Sequence, residues 1–323
     1  MSVEQLEREV LEAARIRAQA PARPIFILGS PRTGSTLCYQ MVVATFELAY
    51  FANLTNDHYP TCPILGLAIQ AALPAHGQIT PVSRYGKTAG LMQPSEASAV
   101  LAHWFGGDHP SEVKSASILP ERQDHFLATM EAAQGLFGRP LVIKNAWNCF
   151  RIRYLASALP EACFIWIRRD LAAAAKSDLA ARYVVHGSSG TWNSATPRNV
   201  EDLRGRPHWE QVVENQAEFA RAISESAASL EPGRFVELWY EDIFQDPTTA
   251  LSWLNRSCPT LSSFGIRRIL PVRAENRAPA ISRRDERQID DYIECSRTRF
   301  AWLRWPRRNE RYVLAPTETS SRR

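Results

Sequence analysis

The chain has 323 residues, 45% apolar and 22% charged, which is enough core-forming material to exclude a mainly disordered protein. Its net charge is only +4, and its Arg residues are scattered among acids, as in Arg283-Arg284-Asp285-Glu286-Arg287, so nucleic acid is not an expected partner. Of the 38 basic residues just 4 are Lys, which makes each Lys conspicuous, and Arg suits bidentate binding of anionic oxygens on small molecules.

Residues 2–20 read as a helix, with Val3, Leu6, Val10 and Ala14 near helical spacing, ended by Pro21 and Pro24. Ile25-Phe26-Ile27-Leu28 is a short continuous apolar run that predicts a buried parallel strand. A Gly/Pro/Ser/Thr turn and a helix from Ser35 to Glu47 follow, then a second strand over Leu48–Leu54. The region 60–137 is rich in helix signals. Leu141–Lys144 predicts a buried strand, Phe150–Ala158 a helix, Ala162–Ile167 a strand and Asp170–Arg182 an Ala-rich helix. Residues 186–208 read as a long loop of the kind that covers a site. A helix over 209–230, a strand over Phe235–Trp239 and a helix over Pro247–Leu254 complete the series, and the tail after Pro306 is polar. Strands alternating with helices predict a three-layer α/β fold, with a mostly parallel sheet between two layers of helices. The expected organisation is a helical extension over 1–22, a single domain over 23–310 and a polar tail over 311–323.

No pair among Cys38, Cys62, Cys149, Cys163, Cys258 and Cys295 has C-x-x-C spacing, so neither a zinc site nor a disulfide framework is expected, and reduced core thiols fit a cytoplasmic protein. The N-terminus is charged from Glu4 onward, so no secretory signal is expected, and the longest apolar stretch, near Pro63–Pro74, is too short to span a bilayer.

The strongest motif is Gly29-Ser30-Pro31-Arg32-Thr33-Gly34-Ser35-Thr36, which follows the first strand and opens a helix. That is the setting of a phosphate-binding loop, whose backbone N–H groups and helix N-terminus hold an anion. In the nucleoside-triphosphatase consensus a Lys stands where this chain has Ser35, so ATP or GTP hydrolysis is disfavoured; the cation has moved to Arg32. Pro31-Arg32-Thr33-Gly34-Ser35-Thr36 resembles the first motif of the sulfotransferases, P-[KR]-[ST]-G-[ST]-[TS], which use 3′-phosphoadenosine 5′-phosphosulfate (PAPS) as donor and release adenosine 3′,5′-bisphosphate (PAP). The second motif of that family, an Arg at a strand end and a Ser eight residues on, is matched by Arg169 and Ser177; Arg168 with Lys176 is the alternative pair at the same spacing. Tyr240-Glu241-Asp242 after a strand, with Asp246-Pro247 following, is similar to a third stretch, in which the Tyr lies near the adenine. The resemblance runs from about residue 24 to 255 and implies the P-loop-like sulfotransferase fold, PAPS as co-substrate without a metal, and donor contacts from Arg32, Thr33, Gly34, Ser35, Thr36, Arg169, Ser177 and Tyr240. Among the late basic residues, Arg277 is the one expected at the 3′-phosphate.

Sulfuryl transfer needs cations at the leaving phosphate and a base for the acceptor hydroxyl. Arg32 is the first cation and Lys144, ending a strand at the ligand-binding edge of the sheet, is the second. Cytosolic members of the family carry a His base two residues after such a Lys; this chain has Ala146. Glu96, expected near the start of a helix running to Trp104, is the candidate base because a similar P-x-E stretch occurs in bacterial sulfotransferases; His103 and His58 are alternatives. The acceptor, a small-molecule, carbohydrate or lipid hydroxyl, is expected to meet aromatics among Phe51, Tyr59, Tyr85, Trp104, Phe105, Tyr183 and Trp192. A P-loop kinase or NTPase, or an inactive nucleotide-binding relative, is the rival reading.

Overall fold

The structure is a computed structural model that describes residues 2–18, 20–73, 79–83, 86–106, 118–271 and 281–305. Five strands form one sheet: β1 (Ile25–Leu28), β2 (Ala49–Tyr50), β3 (Leu141–Lys144), β4 (Cys163–Arg168) and β5 (Phe235–Trp239). Their order is β2-β3-β1-β4-β5 and every pairing is parallel. β1 is a continuous apolar run, and β3 and β4 are apolar up to their terminal Lys144 and Arg168, because both faces of the sheet are covered there; edge strand β5 carries the partly exposed Glu237. Phe26, Leu28, Ile143, Phe164 and Trp166 belong to one core, and Ile25, Ile27, Val142, Ile165, Ile167 and Leu238 to the other. The first core takes the Val3–Arg17, Gln123–Phe137 and His208–Ala227 helices, and the second takes the Ser35–Phe46 and Pro247–Ser257 helices. The three-layer α/β fold expected from the alternating pattern is therefore the one observed.

The N-terminal helix is built into the first core. A Cβ on Gly135 would meet the Ala14 carbonyl oxygen at 2.0 Å, so only Gly lets the Val3–Arg17 and Gln123–Phe137 helices approach this closely. Buried Glu7 accepts the backbone N–H groups of Ile64 (3.0 Å) and Leu65 (2.9 Å) at the start of the Pro63–Ala72 helix, where a carboxylate complements the helix dipole.

Two predicted elements are corrected. The expected Leu48–Leu54 strand pairs only over Ala49–Tyr50; Ala52 then bridges Pro94, Asn53 N donates to Gln93 O, and the chain turns into the Asn53–His58 helix. The expected 186–208 loop is shorter. The Leu171–His186 helix continues to a left-handed Gly187, Val200–Leu203 is helical, and Asn193, Ala195 and Thr196 are buried, so the intervening segment is packed down. In addition, Arg283–Cys295 forms a helix that the sequence pattern did not single out.

Candidate functional site

The C-terminal ends of four parallel strands carry or precede the candidate site residues, at the edge where open α/β sheets place ligand sites. β1 leads into the Gly29–Thr36 loop, β3 ends on Lys144, β4 is followed by Arg169, and β5 by Tyr240. The register β1 Ile27 ↔ β3 Lys144 and β4 Arg168 ↔ β5 Trp239 keeps these ends level.

Within the loop, Thr33 is turned inward: its Oγ1 donates to Ser30 O at 2.8 Å. Arg32 at the apex has φ 72°, a left-handed conformation that costs a non-Gly residue energy and is kept only where the surroundings impose it. Gly34 (φ 81°) caps the Ser35–Phe46 helix, and a Cβ there would come 2.1 Å from the Tyr240 ring, so the third motif packs directly on the first. Gly29 N donates to Cys149 Sγ at 3.3 Å, tying the loop entry to the 3-10 turn after β3. Ser35 and Thr36 lie buried in the first turn of the helix.

Arg32 joins both members of the second motif. Arg169 Nη1 donates to its carbonyl oxygen at 2.7 Å, and Arg32 Nε donates to Ser177 Oγ at 3.3 Å from the Leu171–His186 helix. The Arg169 guanidinium lies 4.7 Å from the Tyr240 ring centroid, and its Nε is buried without a hydrogen-bond partner among the described residues. Nearby Glu241 is pushed up by burial, opposed by the Asp170 backbone N–H and the Arg169 charge. Asp178, next to Ser177, is likewise pushed up by burial, against the pull of Arg182, Asn215 and Arg32.

The members of the alternative pair have partners elsewhere. Arg168 is stacked 4.5 Å from the ring centres of both Trp166 and Trp239, with Trp302 at 5.8 Å, and pairs with Glu237 at 2.6 Å. Lys176 pairs with Asp290 at 2.8 Å. Arg277 lies outside the described residues.

Lys144 and Glu96 meet as an ion pair in which both are largely removed from solvent, with side-chain exposures of 6% and 27%. Glu96 is not in the first turn of a helix, as expected from sequence. Ala97 is left-handed (φ 51°), the helix begins at Ser98, and Asn145 Nδ2 pins Glu96 O at 3.1 Å and Ser98 Oγ at 3.2 Å. A Cβ on Gly86 would fall 3.0 Å from Glu96 Oε1 and 3.8 Å from Thr36 Oγ1, so the carboxylate lies beside the loop helix. His103 and His58 are not brought to this edge. His103 packs against His125, and burial, with Arg122 and His125 adding, pushes it down to about 4. His58 is exposed at the end of its helix.

Of the expected acceptor aromatics, Phe51, Trp104 and Phe105 are fully buried core residues. Trp192 lies under Arg182 (4.3 Å), Tyr183 donates to Asp285 at 3.2 Å, Tyr59 is half-buried, and Tyr85 is outside the described residues. Sequence reasoning missed Gln216, whose side chain touches both Ser30 and Pro31; the available signal was an amide at the helical spacing of Val212, Phe219 and Ile223. No group of three His, Cys, Asp or Glu suited to a metal occurs among the described residues.

The model of the sulfotransferase family matches residues 24–258. The chain is 30% identical over 252 residues to the omega-hydroxy-beta-dihydromenaquinone-9 sulfotransferases Stf3 of Mycobacterium bovis and of Mycobacterium tuberculosis; the match covers 69% of this chain and 59% of those proteins. The crystal structure of sulfotransferase STF1 from Mycobacterium tuberculosis H37Rv superposes with a TM-score of 0.50 at 15% identity, covering 91% of this chain and 82% of that one, which establishes a shared fold.

Proposed function

Because the chain belongs to the sulfotransferase family, we propose that it moves a sulfuryl group from PAPS to a hydroxyl of a small lipid-like acceptor and releases PAP. The observation that carries this reading is the meeting, at one sheet edge, of the Arg32 loop, the Lys144–Glu96 pair and the Arg169–Arg32–Ser177 chain. The buried, unpartnered Arg169 Nε supports a place for the 3′-phosphate there, since a buried donor without a partner is costly. Backbone N–H groups at the start of the Ser35–Phe46 helix suit the 5′-phosphate. Tyr240 is the residue we place near the adenine.

The donor supplies an activated sulfuryl group whose bond to the 5′-phosphate breaks as the acceptor oxygen bonds to sulfur. Glu96 takes the proton of that hydroxyl. Lys144 and Arg32 neutralise the charge that grows on the departing phosphate. No metal is needed in this reading, and the enzyme works in the cytoplasm without nucleic-acid partners. The lipid-like acceptor is supported by the two mycobacterial relatives, named for a hydroxylated menaquinone. Val82 and Leu91, on either side of Gly86 in sequence, are apolar residues 61% and 55% exposed.

The test is transfer of radiolabelled sulfate from PAPS, without added metal, to a panel of phenols, sugars and omega-hydroxylated prenyl quinols. Labelling of a prenyl quinol is expected. No transfer to any member, combined with magnesium-dependent ATP hydrolysis, would overturn the proposal in favour of an NTPase.

A further inference from the structure

We infer that Gln216 is a positioning residue that sets the phosphate loop, and Arg32 at its apex, in the conformation that receives the donor's 5′-phosphate; the ligand named rests on the function proposed above. Gln216 lies in the His208–Ala227 helix, 3% exposed, 185 residues from Pro31 in the chain. Its Nε2 donates to Pro31 O at 3.0 Å, and its Oε1 accepts from Ser30 Oγ. Pro31 O can only accept, so it fixes which end of the amide faces the loop, and the hydroxyl of Ser30 completes the pair. Both polar ends of a buried side chain are thereby satisfied by two consecutive loop residues.

Those residues precede the one strained non-Gly position in the loop. Arg32 holds φ 72°, and its own carbonyl is taken by Arg169 Nη1 at 2.7 Å. The peptide entering Arg32 is therefore gripped by Gln216 and the peptide leaving it by Arg169. Ser30, Thr33, Arg169 and Gln216 line one small pocket together, so the loop, the clamp and the second motif share one wall. From this backbone conformation Arg32 Nε donates to Ser177 Oγ at 3.3 Å. Loss of the clamp frees Arg32 to relax toward ordinary dihedrals, which turns its N–H and side chain away from the phosphate.

The experiment is calorimetric titration of the full chain with PAP and with adenosine 3′-monophosphate, which lacks the 5′-phosphate. Two variants are compared with wild type: Gln216→Met, which keeps side-chain length and removes both bonds, and Gln216→Glu, which keeps the acceptor for Ser30 but removes the donor to Pro31. Each variant that folds, by circular dichroism, should bind PAP about tenfold or more weakly, the size of a lost buried hydrogen bond, while adenosine 3′-monophosphate binds within about twofold of wild type. Unchanged PAP affinity in either folded variant, or equal losses for both nucleotides, overturns the role of Gln216. Wild-type protein that binds neither nucleotide overturns the donor reading itself, and with it the ligand of the clamp.

Discussion

Lys144 and Glu96, 48 residues apart in the chain, are ion-paired at the end of β3, and the pair occupies the two groups that the proposed reaction needs separately. While they are paired, the Glu96 carboxylate is held by Lys144 and Lys144 is spent on Glu96, until a phosphate competes for the ammonium. Donor binding should therefore exchange the partner of Lys144. Glu96→Gln should tighten PAP by about tenfold, the scale of coupling between touching groups, whereas Lys144→Met should weaken it and the double variant should match Lys144→Met. A double-mutant cycle by calorimetry checks this; a Glu96→Gln variant with unchanged or weaker PAP binding would show that the pair does not compete with the donor.

Turnover separates the two residues. Lys144→Met should slow transfer by about 10²–10³, as loss of one donor to a developing anion does. Glu96→Gln should slow it by about 10²–10⁴, and its defect alone should shrink with an acidic phenol, which ionises without help. Initial rates across phenols of graded acidity measure this, and a Glu96→Gln defect equal for all of them would remove Glu96 as the base.

Gly34 is under two constraints at once, a φ of 81° and the face of Tyr240 at the position of a Cβ. Gly34→Ala should abolish measurable PAP binding, and adding Tyr240→Ala should restore it only in part, because the space returns and the backbone strain remains. Equal PAP affinity in wild type and Gly34→Ala would contradict this account of the loop.

His103 should leave a signature in stability and none in catalysis. Burial holds its ring neutral down to about pH 4 in the folded protein, against 6.5 as the ordinary value. Between those values the unfolded chain binds the extra proton, so stability falls as pH is lowered from about 6.5 toward 4. His103→Gln should flatten that decline in urea titrations while leaving the turnover profile near neutral pH unchanged. Parallel stability curves for the two proteins would contradict the assignment.

Local chemistry made much of this site legible in the sequence. β1, β3 and β5 have the bounds that the sequence predicts, and in β1 and β3, buried along their whole length, an apolar run leads to the loop of Arg32 and to Lys144. Arg169 and Ser177 are both within reach of Arg32 because eight residues bring the second two turns into the helix. What escaped the sequence depends on distant partners. The left-handed Ala97 ends the helical reading at Glu96 and is set by Asn145 on β3's exit. Arg168 looked equivalent to Arg169 until Trp239 and Trp302 enclosed it. Gln216 falls at the helical spacing of Val212, Phe219 and Ile223, on the apolar face of its helix, and its role is identified by its partners in the loop.

The central claim is a site built for a nucleotide with phosphates at both 3′ and 5′ positions, and calorimetric titration with PAP, AMP and ATP, with and without magnesium, tests it most directly. The account predicts that PAP binds at least about tenfold more tightly than AMP, independently of magnesium, and that Arg169→Ala removes this preference by weakening PAP alone, since a charged hydrogen bond contributes about 1.5–3 kcal/mol. Equal affinity for PAP and AMP in wild type, or a preference for magnesium-ATP, would contradict it.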